Sequence, residues 1–335
     1  MRLKAPDFWY ENPNDTIAFV LRPAGWLYAL GGRLQRALTT PFRASVPVIC
    51  VGNLTAGGTG KTPLAIAIAE RLTARGLRVA FLSRGYGADV PGAMIVDANQ
   101  DRAEDVGDEP LLLAQHAMTV VSPDRPAGAR LAVSRGAQVI VMDDGFQNPS
   151  LAKDLCFVVV DSAKGFGNGC VIPAGPLRER VDDGMLRANA LILMGQGPAK
   201  FPDSKPLMRA TLVPTEGEAL RLKGMDVVAF AGIGLPAKFF DTAIACGATL
   251  KATKSYPDHH RYSDDDLNEL RALAKTNSSR LLTTQKDWLR LPADFRRETD
   301  ALKVAAQFDT SSQAQLETFI TTCLTTFNPP PPAAH

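Results

Sequence analysis

A glycine-rich loop between an apolar run and a helical pattern constrains the fold of this chain most. Residues 46–62 read VPVICVGNLTAGGTGKT, and the pattern LAIAIAERL begins shortly afterwards. The β-branched run from Val46 to Val51 is typical of a buried parallel strand. A strand that passes through such a loop into a helix aims several backbone N–H groups at one point, where phosphate oxygens fit. The pattern therefore predicts a phosphate-binding loop.

The end of this loop carries the side chains that a nucleotide needs. Lys61 would place a positive charge over the β- and γ-phosphates, and the Thr62 hydroxyl suits Mg²⁺. The match to G-x-x-x-x-G-K-[ST] is incomplete, because Thr55 occupies the first glycine position. An ordinary glycine-rich turn is the alternative, but the strand–loop–helix context favours a nucleoside-triphosphate site. The predicted nucleotide-binding residues are Thr55, Gly57, Gly58, Thr59, Gly60, Lys61 and Thr62.

The composition allows two folded domains and gives no indication of a nucleic-acid-binding, secreted or membrane-spanning protein. The chain has 335 residues, of which 45% are apolar, and this is enough for sizeable cores. A formal net charge of +2 gives no general attraction to nucleic acid. The five scattered cysteines indicate thiols in a reducing compartment. Because we find neither an apolar run of about 18 residues nor a signal-peptide pattern, we expect a cytosolic or cytosol-facing protein.

A second apolar run ends in two adjacent acidic residues. The run from Val139 to Met142 predicts a buried strand that delivers Asp143 and Asp144 to its carboxyl end. Ligands of open α/β sheets gather at that end of the strands. An acidic residue there, downstream of a phosphate loop, is the usual partner of Mg²⁺. We therefore predict that Asp143 and Asp144 are metal-site residues.

Alternating strand and helix patterns predict the fold class and its division. The expected fold is α/β, with a P-loop NTPase-type doubly wound parallel sheet and a second, smaller α/β domain. We expect a basic amphipathic helical segment at 1–45, a kinase-type domain at 46–220, a smaller C-terminal domain at 221–327 and a disordered tail at 328–335. The segment RATLVP is expected to begin the crossover out of the first sheet.

The N-terminal segment supports two interpretations. On a helical projection one arc is apolar, and three arginines lie beside it: Trp26, Leu27, Leu30, Leu34 and Leu38, with Arg22, Arg33 and Arg36. A basic amphipathic helix with an aromatic anchor is a candidate for the anionic membrane interface. A helix that packs on its own domain is the alternative.

Two further pairs of polar residues leave alternatives open. Asp108 and Glu109 stand at the predicted start of a helix, where carboxylates are commonly present because they stabilise the helix dipole. His259 and His260 lie in a loop between a predicted strand and a predicted helix. Without further information, these histidines are more simply explained as solvent-exposed loop residues.

Several motifs together resemble one family. They are, in order, VGNLTAGGTGKTP, SRGYG, VGDEP, DDGFQ, IPAGPLRER, AGIGLPAKFF, PDHHRY and TTQKD. In this combination the chain is similar to the tetraacyldisaccharide 4′-kinases of lipid A biosynthesis, from about Pro6 to Phe327. Thr55 agrees with this resemblance, since the loop of that family carries Ser or Thr at this position.

The resemblance implies a reaction and a location. The γ-phosphoryl group of ATP would pass, with Mg²⁺, to the 4′-hydroxyl of an acylated glucosamine disaccharide 1-phosphate, which gives lipid IV-A. The enzyme would be a peripheral, monotopic protein on the cytoplasmic face of the bacterial inner membrane. Its active site would lie in the cleft between two α/β domains. The resemblance indicates no nucleic acid partner and no obligate protein partner.

The resemblance also implies roles for individual residues. Asp108 would be the catalytic aspartate and His259 its partner across the cleft, with His260 as the alternative histidine. Other expected roles are charge stabilisation by Arg125 and Arg178, metal binding by Thr62, Asp143, Asp144 and Glu179, and contact with the disaccharide by Gln147, Asn148 and Tyr86.

The alternative function is that of a nucleotide-driven switch that binds a protein partner. Dimerising ATPases of the MinD type carry a lysine just before the glycine pair, where this chain has Ala56. A GTPase would carry N-K-x-D late in the domain, and the segment TQKD does not match this motif. The kinase interpretation is therefore favoured.

Overall fold

Thirteen β-strands organise the part of the chain that this computed structural model describes, namely residues 6–10, 16–85, 90–198, 201 and 204–330. The strands are β1 (Val48–Gly52), β2 (Val79–Ser83), β3 (Met94–Ile95), β4 (Met118–Val121), β5 (Val139–Asp143), β6 (Leu155–Asp161), β7 (Ala190–Met194), β8 (Leu207–Pro214), β9 (Asp226–Ala231), β10 (Thr249–Ser255), β11 (Arg280–Thr284), β12 (Thr299–Leu302) and β13 (Val304–Phe308). They divide into one sheet of nine strands and one of four.

The nine-stranded sheet places the phosphate loop beside the first acidic pair. Its strand order is β13-β8-β7-β6-β1-β5-β2-β4-β3, and it is parallel except at the outer pairs β13–β8 and β4–β3. β1 lies between β6 and β5, and Val51 is the register partner of Asp143. The loop that follows β1 and the carboxylates that end β5 therefore leave the sheet at the same edge.

The helices of the described residues cover both sheets. They are α1 (Thr16–Leu38), α2 (Lys61–Ala74), α3 (Ala103–Val106), α4 (Asp108–Ala114), α5 (Arg125–Ser134), α6 (Val181–Arg187), α7 (Glu218–Leu222), α8 (Pro236–Ala245), α9 (Asp264–Thr276), α10 (Gln285–Arg290), α11 (Ala293–Glu298) and α12 (Thr310–Thr326).

The large sheet is covered by helices on both faces, as expected for a doubly wound fold. Successive side chains of a strand point to opposite faces, so Ile49 and Val51 enter one core while Val48 and Cys50 enter the other. The first core receives side chains from α2, α4 and α12. The second receives side chains from α1, α5 and α6. The predicted fold class is confirmed.

The small sheet forms a second α/β unit over residues 226–302. Its order is β10-β9-β11-β12, and all three pairs are parallel. Val227 and Ala229 pack with α8 on one face, while Val228 and Phe230 pack with α9 on the other. The small unit therefore repeats the two-sided arrangement of the large unit, which is the nine-stranded sheet with the helices that cover it.

The end of the chain returns to the large sheet. β13 pairs antiparallel with β8, and β8 itself pairs parallel with β7. Phe308 of β13 and Leu316 of α12 are buried in the first of the two cores of the large sheet. The structure thus differs from the expected division, in which residues 304–326 belonged to the smaller domain and RATLVP led out of the sheet. A strand's apolar pattern predicts that it pairs but does not identify the sheet edge that it joins.

Helix α1 contacts the large unit through its small residues. Ala18, Gly25 and Ala29 are its buried positions. A Cβ on Gly25 would lie 2.8 Å from the carbonyl oxygen of Val171, so glycine permits this close approach. Within the described residues, no helix combines the length and the apolar character that crossing a membrane requires.

Candidate active site

Glycines shape the phosphate loop between β1 and α2. Gly57 (φ 109°) and Gly60 (φ 80°) adopt left-handed backbone conformations, which residues with a Cβ rarely take. A Cβ on Gly57 or Gly58 would meet no atom within 4 Å, so the space in front of the loop is open. Asn53 supports the loop, because its Nδ2 donates to the carbonyl oxygen of Thr55 at 2.7 Å. Sequence reasoning missed Asn53, although an amide side chain next to a glycine-rich loop is a signal for such a contact.

The aspartates that end β5 meet the first turn of α2. The Thr62 hydroxyl donates to Asp143 Oδ2 at 2.9 Å. Lys61 Nζ lies 3.5 Å from Asp144 Oδ2. The N-terminus of α2 adds the partial positive charge of the helix dipole at this point. The structure therefore brings the core of the predicted nucleotide site and the predicted acidic pair together.

The oxygen atoms at this point fit a magnesium ion. Asp143 is buried, and its Oδ1 has no hydrogen-bond partner in the described part of the chain. A buried carboxylate oxygen in that state needs a cation or water to complete it. Mg²⁺ takes hard oxygen ligands and is usually held by one or two carboxylates together with substrate phosphates. Among the described residues, no group of three or more His, Cys, Asp or Glu side chains could hold a metal ion alone.

The carboxyl group of Asp143 is sensitive to its charge environment. Burial raises its pKa, and the negative charge of Glu109 raises it further. The charge of Lys61 and the Thr62 hydrogen bond act in the opposite direction, and the resulting pKa is about 7. A cation bound beside Asp143 would favour the ionised form, so metal binding and proton release are coupled here.

Asp144 is held by basic residues. Arg178 donates to its Oδ1 at 3.0 Å, and the charges of Lys61 and Arg178 lower the pKa of Asp144, although burial alone would raise it. The Asp144 backbone has φ 54°, a left-handed conformation that is uncommon outside glycine. Arg125 is buried beneath and donates to the carbonyl oxygens of Ser122, at 2.5 Å, and of Asp144, at 3.5 Å. The predicted arginines therefore both contact Asp144.

A second cluster lies where α4 of the large unit meets the small unit. Asp108 is the first residue of α4, and its Oδ2 lies 3.3 Å from Nδ1 of His259. Arg290 of α10 donates from Nε to the same oxygen at 3.0 Å. Burial alone would raise the pKa of Asp108, but the His259 hydrogen bond and the Arg290 charge hold it well below its ordinary value. Asp108 is therefore an ionised carboxylate that bridges the two units.

The structure separates the two adjacent histidines. His259 has φ 58°, and this backbone turn sends its ring to Asp108. The ring of His260 instead stacks on Tyr256, with ring centroids 4.6 Å apart, and its Nε2 lies 2.9 Å from Asp266 Oδ2. Asp266 also forms the capping box of α9. His259, the first choice from the sequence, is thus the histidine at Asp108.

Glu109 connects this second cluster to the phosphate loop. Lys286 Nζ lies 2.5 Å from Glu109 Oε1, and the charges of Lys286 and Lys61 lower the pKa of Glu109. Sequence reasoning did not assign Glu109, Lys286 or Arg290 to the site. The spacing of Lys286 and Arg290 was the available signal, because residues four apart lie on one face of a helix and can meet two adjacent carboxylates.

Comparison with known proteins identifies the family. The family model described as tetraacyldisaccharide-1-P 4′-kinase matches residues 17–325. This chain belongs to the tetraacyldisaccharide 4′-kinase family. A tetraacyldisaccharide 4′-kinase of Paramagnetospirillum magneticum is 47% identical over 315 residues, covering 92% of this chain and 96% of that protein. One from Parvibaculum lavamentivorans is 48% identical over 303 residues, covering 86% of this chain and 87% of that protein.

A solved structure supports the same assignment. The crystal structure of LpxK from Aquifex aeolicus in complex with ATP matches with a TM-score of 0.76 at 29% identity, covering 92% of this chain and all of that one. The resemblance found in the sequence and the predicted fold are therefore confirmed for this tetraacyldisaccharide 4′-kinase family member. The nucleotide-switch alternative is not favoured.

Not all of the residues expected in this kinase site come together. Glu179 is buried, and its carboxylate contacts Arg187, Arg36 and Gln147 rather than the loop or β5. Its role at the metal stays a prediction. The two arginines already compensate its charge, so Glu179 joins α1 to the large unit.

The residues expected to contact the disaccharide differ in their surroundings. Gln147 Nε2 donates to the carbonyl oxygen of Asn53 at 2.8 Å and to Glu179, which places Gln147 beside the phosphate loop. Asn148 accepts from the Ser150 backbone and hydroxyl, so its side chain closes a local turn. Tyr86 lies outside the described residues.

The raised pKa of Asp143 predicts how stability depends on pH. Between the pKa of an aspartate in the unfolded chain, about 3.9, and its folded value of about 7, the folded state binds one more proton than the unfolded state. Without Mg²⁺, the free energy of unfolding therefore falls as pH rises from about 4 to about 7 and levels off above 7. Asp143→Asn should remove this loss and be more stable than the parent at pH 8 by roughly 1–4 kcal/mol, since one pKa unit is worth about 1.4 kcal/mol.

Chemical denaturation with a chelator from pH 4 to 8 measures this difference. The stability gain of Asp143→Asn should shrink toward pH 4. The exposed Asp182→Asn variant serves as the control and should follow the parent at every pH. If Asp143→Asn and Asp182→Asn show the same pH dependence, the Asp143 carboxyl does not titrate near neutrality.

Proposed function

We propose that this protein transfers the γ-phosphoryl group of ATP to the 4′-hydroxyl of a tetraacyldisaccharide 1-phosphate, the step of lipid A biosynthesis that gives lipid IV-A. The observation that carries this proposal is the pairing of Asp108 with His259 across the two units, next to a phosphate loop. Glu109, the neighbour of Asp108, connects this pair to the loop electrostatically. The charge of Lys61 lowers the pKa of Glu109, and the charge of Glu109 raises the pKa of Asp143. Family membership supports the same reaction.

The phosphate loop prepares the γ-phosphoryl group for transfer. Backbone N–H groups at the start of α2 and the charge of Lys61 would bind the β- and γ-phosphates. Thr62 and Asp143, with Asp144 beside them, would hold Mg²⁺, which when bound neutralises phosphate oxygens. Arg178 and Arg125 surround Asp144 and add positive charge near the transferred group. Phosphoryl transfer depends mainly on such positioning and charge stabilisation.

Asp108 receives the proton of the acceptor hydroxyl. A bond forms between the 4′-oxygen and the γ-phosphorus while the bond from that phosphorus to the bridging oxygen of ADP breaks. The hydroxyl proton passes to the Asp108 carboxylate, and His259 orients and stabilises that carboxylate. A carboxylate with a low pKa is a weak base toward a free alcohol, so the proton moves late, when the forming O–P bond has made the hydroxyl more acidic.

Helix α1 offers a surface for a membrane. Nine of its large hydrophobic side chains are between 51% and 76% exposed: Ile17, Phe19, Val20, Trp26, Leu27, Tyr28, Leu30, Leu34 and Leu38. Soluble proteins rarely expose a contiguous apolar face of this extent. Helix α6 adds another exposed leucine, Leu186, which is 82% exposed. Asp183 of α6 pairs with Arg33 of α1. We propose that α1 lies in the interface of the cytoplasmic face of the inner membrane, where the acylated substrate resides.

Two of the three arginines of α1 form ion pairs within the protein, whereas the helical projection predicts contact with anionic lipid. Arg33 pairs with Asp183 and Arg36 with Glu179. These ion pairs fasten the helix to the large unit and orient its apolar face outward. Arg22 lies over the ring of Phe19 and remains the candidate for contact with anionic lipid.

The transfer reaction is tested with labelled ATP, Mg²⁺ and the disaccharide 1-phosphate in detergent. The parent should label the 4′-position of the disaccharide. Asp108→Asn should lower kcat by roughly 10²–10⁴-fold, the range that a positioned general base contributes, with ATP binding retained. His259→Ala should also lower kcat, whereas His260→Ala is the matched control and should keep most activity. Absence of labelling by the parent, or a loss at His260 alone, would contradict the proposed mechanism.

The membrane surface is tested by vesicle sedimentation. The triple variant Trp26→Ser, Leu30→Ser, Leu34→Ser should bind vesicles of anionic phospholipid at least about tenfold more weakly, because each removed side chain loses burial in the interface. Leu220→Ser changes a leucine on the small helix α7 that is even more exposed, at 82%, and this variant should bind as the parent does. Equal vesicle binding by all three proteins would return α1 to a role in packing alone.

A further inference from the structure

We propose that Arg290 is a positioning residue that holds Asp108 and His259 together across the boundary between the two units. This inference rests on the proposed kinase function, because it concerns the alignment of its base. Arg290 belongs to α10 of the small unit and Asp108 to α4 of the large unit. A residue that touches both members of the pair can align them only when the units are in contact.

The guanidinium group of Arg290 reaches in two directions. Toward the large unit, Nε and Nη2 both donate to Asp108 Oδ2. Nη2 also lies 3.3 Å from Nδ1 of His259, which belongs to the small unit. Toward the small unit, Nη1 donates to the carbonyl oxygen of Gly232 at 2.9 Å and to Asp287 Oδ1 at 2.9 Å. The planar fork of arginine allows this two-sided contact, which a lysine ammonium cannot reproduce.

The same backbone oxygen that Arg290 contacts also fixes His259. The His259 backbone N–H donates to the carbonyl oxygen of Gly232 at 3.0 Å. Arg290 and the strained turn at His259, with φ 58°, therefore share one anchor. A residue held in the left-handed region persists only where its surroundings define it strongly. Arg290 helps to fix His259 in two ways: its Nη2 lies next to the His259 ring, and its Nη1 donates to the Gly232 carbonyl oxygen that also binds the His259 backbone.

Arg290 is itself held rigidly. Asp287 is fully buried and accepts from the Tyr262 hydroxyl at 3.0 Å, from the Thr284 hydroxyl at 2.7 Å and from the Gly232 backbone N–H at 3.0 Å. These contacts leave the Asp287 carboxylate little freedom to rotate. Because Arg290 donates a hydrogen bond to this carboxylate, its guanidinium group is held in place as well. The chain of contacts runs from the interior of the small unit to the base in the cleft.

This arrangement gives the two oxygens of the Asp108 carboxylate different surroundings. In the described part of the chain, the hydrogen bonds from Arg290 to that carboxylate both end on Oδ2, and Nδ1 of His259 lies 3.3 Å from the same oxygen. Oδ1 is left for the substrate hydroxyl. Without Arg290 the carboxylate could rotate and lose this difference, so Arg290 acts on the reaction through Asp108 and not through the substrate.

The test is a double-mutant cycle between Arg290 and Asp108. Arg290→Gln removes the charge and the fork, and Arg290→Lys keeps the charge but removes the fork. Each should lower kcat roughly 10–100-fold with KM for ATP changed less than about threefold. Once Asp108 is Asn, either change should cost less than about threefold more, because residues that act as a unit are strongly non-additive. Arg271→Gln removes an ion pair to Glu298 on the surface of the small unit and should leave kcat unchanged.

The pH profile separates positioning from a merely structural role. The groups that face Asp108 are His259, Arg290 and Lys286, with Glu109 beside it. The Arg290 charge lowers the pKa of Asp108, so Arg290→Gln should move the acidic limb of kcat/KM to higher pH, while Arg290→Lys should leave that limb in place. Equal losses from Arg290→Lys in the parent and the Asp108→Asn backgrounds would overturn the proposal and indicate direct contact with substrate.

A measurement without turnover keeps this inference distinct from the proposed function. In the parent, the His259 ring resonance in a ¹H–¹³C spectrum should shift when Asp108 becomes Asn. In the Arg290→Lys background that response should be lost, because the two side chains no longer share one alignment. A protein without kinase activity that still shows this loss would refute the function and keep the positioning role. An unchanged response in Arg290→Lys would refute the positioning role.

Discussion

The parallel pairing of β1 with β5 is the constraint on which the rest of the site depends. It sets Val51 beside Asp143, so the loop after one strand and the carboxylates at the end of the other start from fixed, neighbouring points. The first turn of α2 then closes the arrangement through the hydrogen bond from Thr62 to Asp143. The two cores of the large unit hold both strands in place.

The second half of the site is organised by compensation of buried charge across the boundary between the units. The adjacent acidic residues Asp108 and Glu109 meet Arg290 and Lys286, which lie one helical turn apart on α10. A buried ion pair adds little net stability, because desolvation offsets the attraction, but removing one partner costs about 3–5 kcal/mol. The pairs are therefore better explained by what they align than by what they stabilise. Each places a carboxylate of α4 at a defined point in the cleft.

Local patterns in the sequence were sufficient for the parts of the site that one segment builds. The phosphate loop and the Asp143–Asp144 pair each lie within one strand–loop pattern, so both could be predicted. Contacts between distant segments could not be predicted in this way. The partners of Glu179 are Arg36 and Arg187, and β13 joins β8, because tertiary packing selects among charges and strands that look equivalent in sequence. The sequence alone did not distinguish His259 from His260, and only the resemblance to a family favoured His259, the histidine that lies beside Asp108 in the structure.

The proposed mechanism requires that the phosphate loop and the Asp108–His259 pair serve one reaction centre. A crystal structure with Mg²⁺ and a non-hydrolysable ATP analogue tests this claim most directly. We expect the γ-phosphate against Lys61 and the loop, the metal beside Thr62 and Asp143, and Asp108 on the opposite side of the γ-phosphate with room for an acceptor hydroxyl. A γ-phosphate bound away from the loop, or a different carboxylate facing it in place of Asp108, would contradict the account.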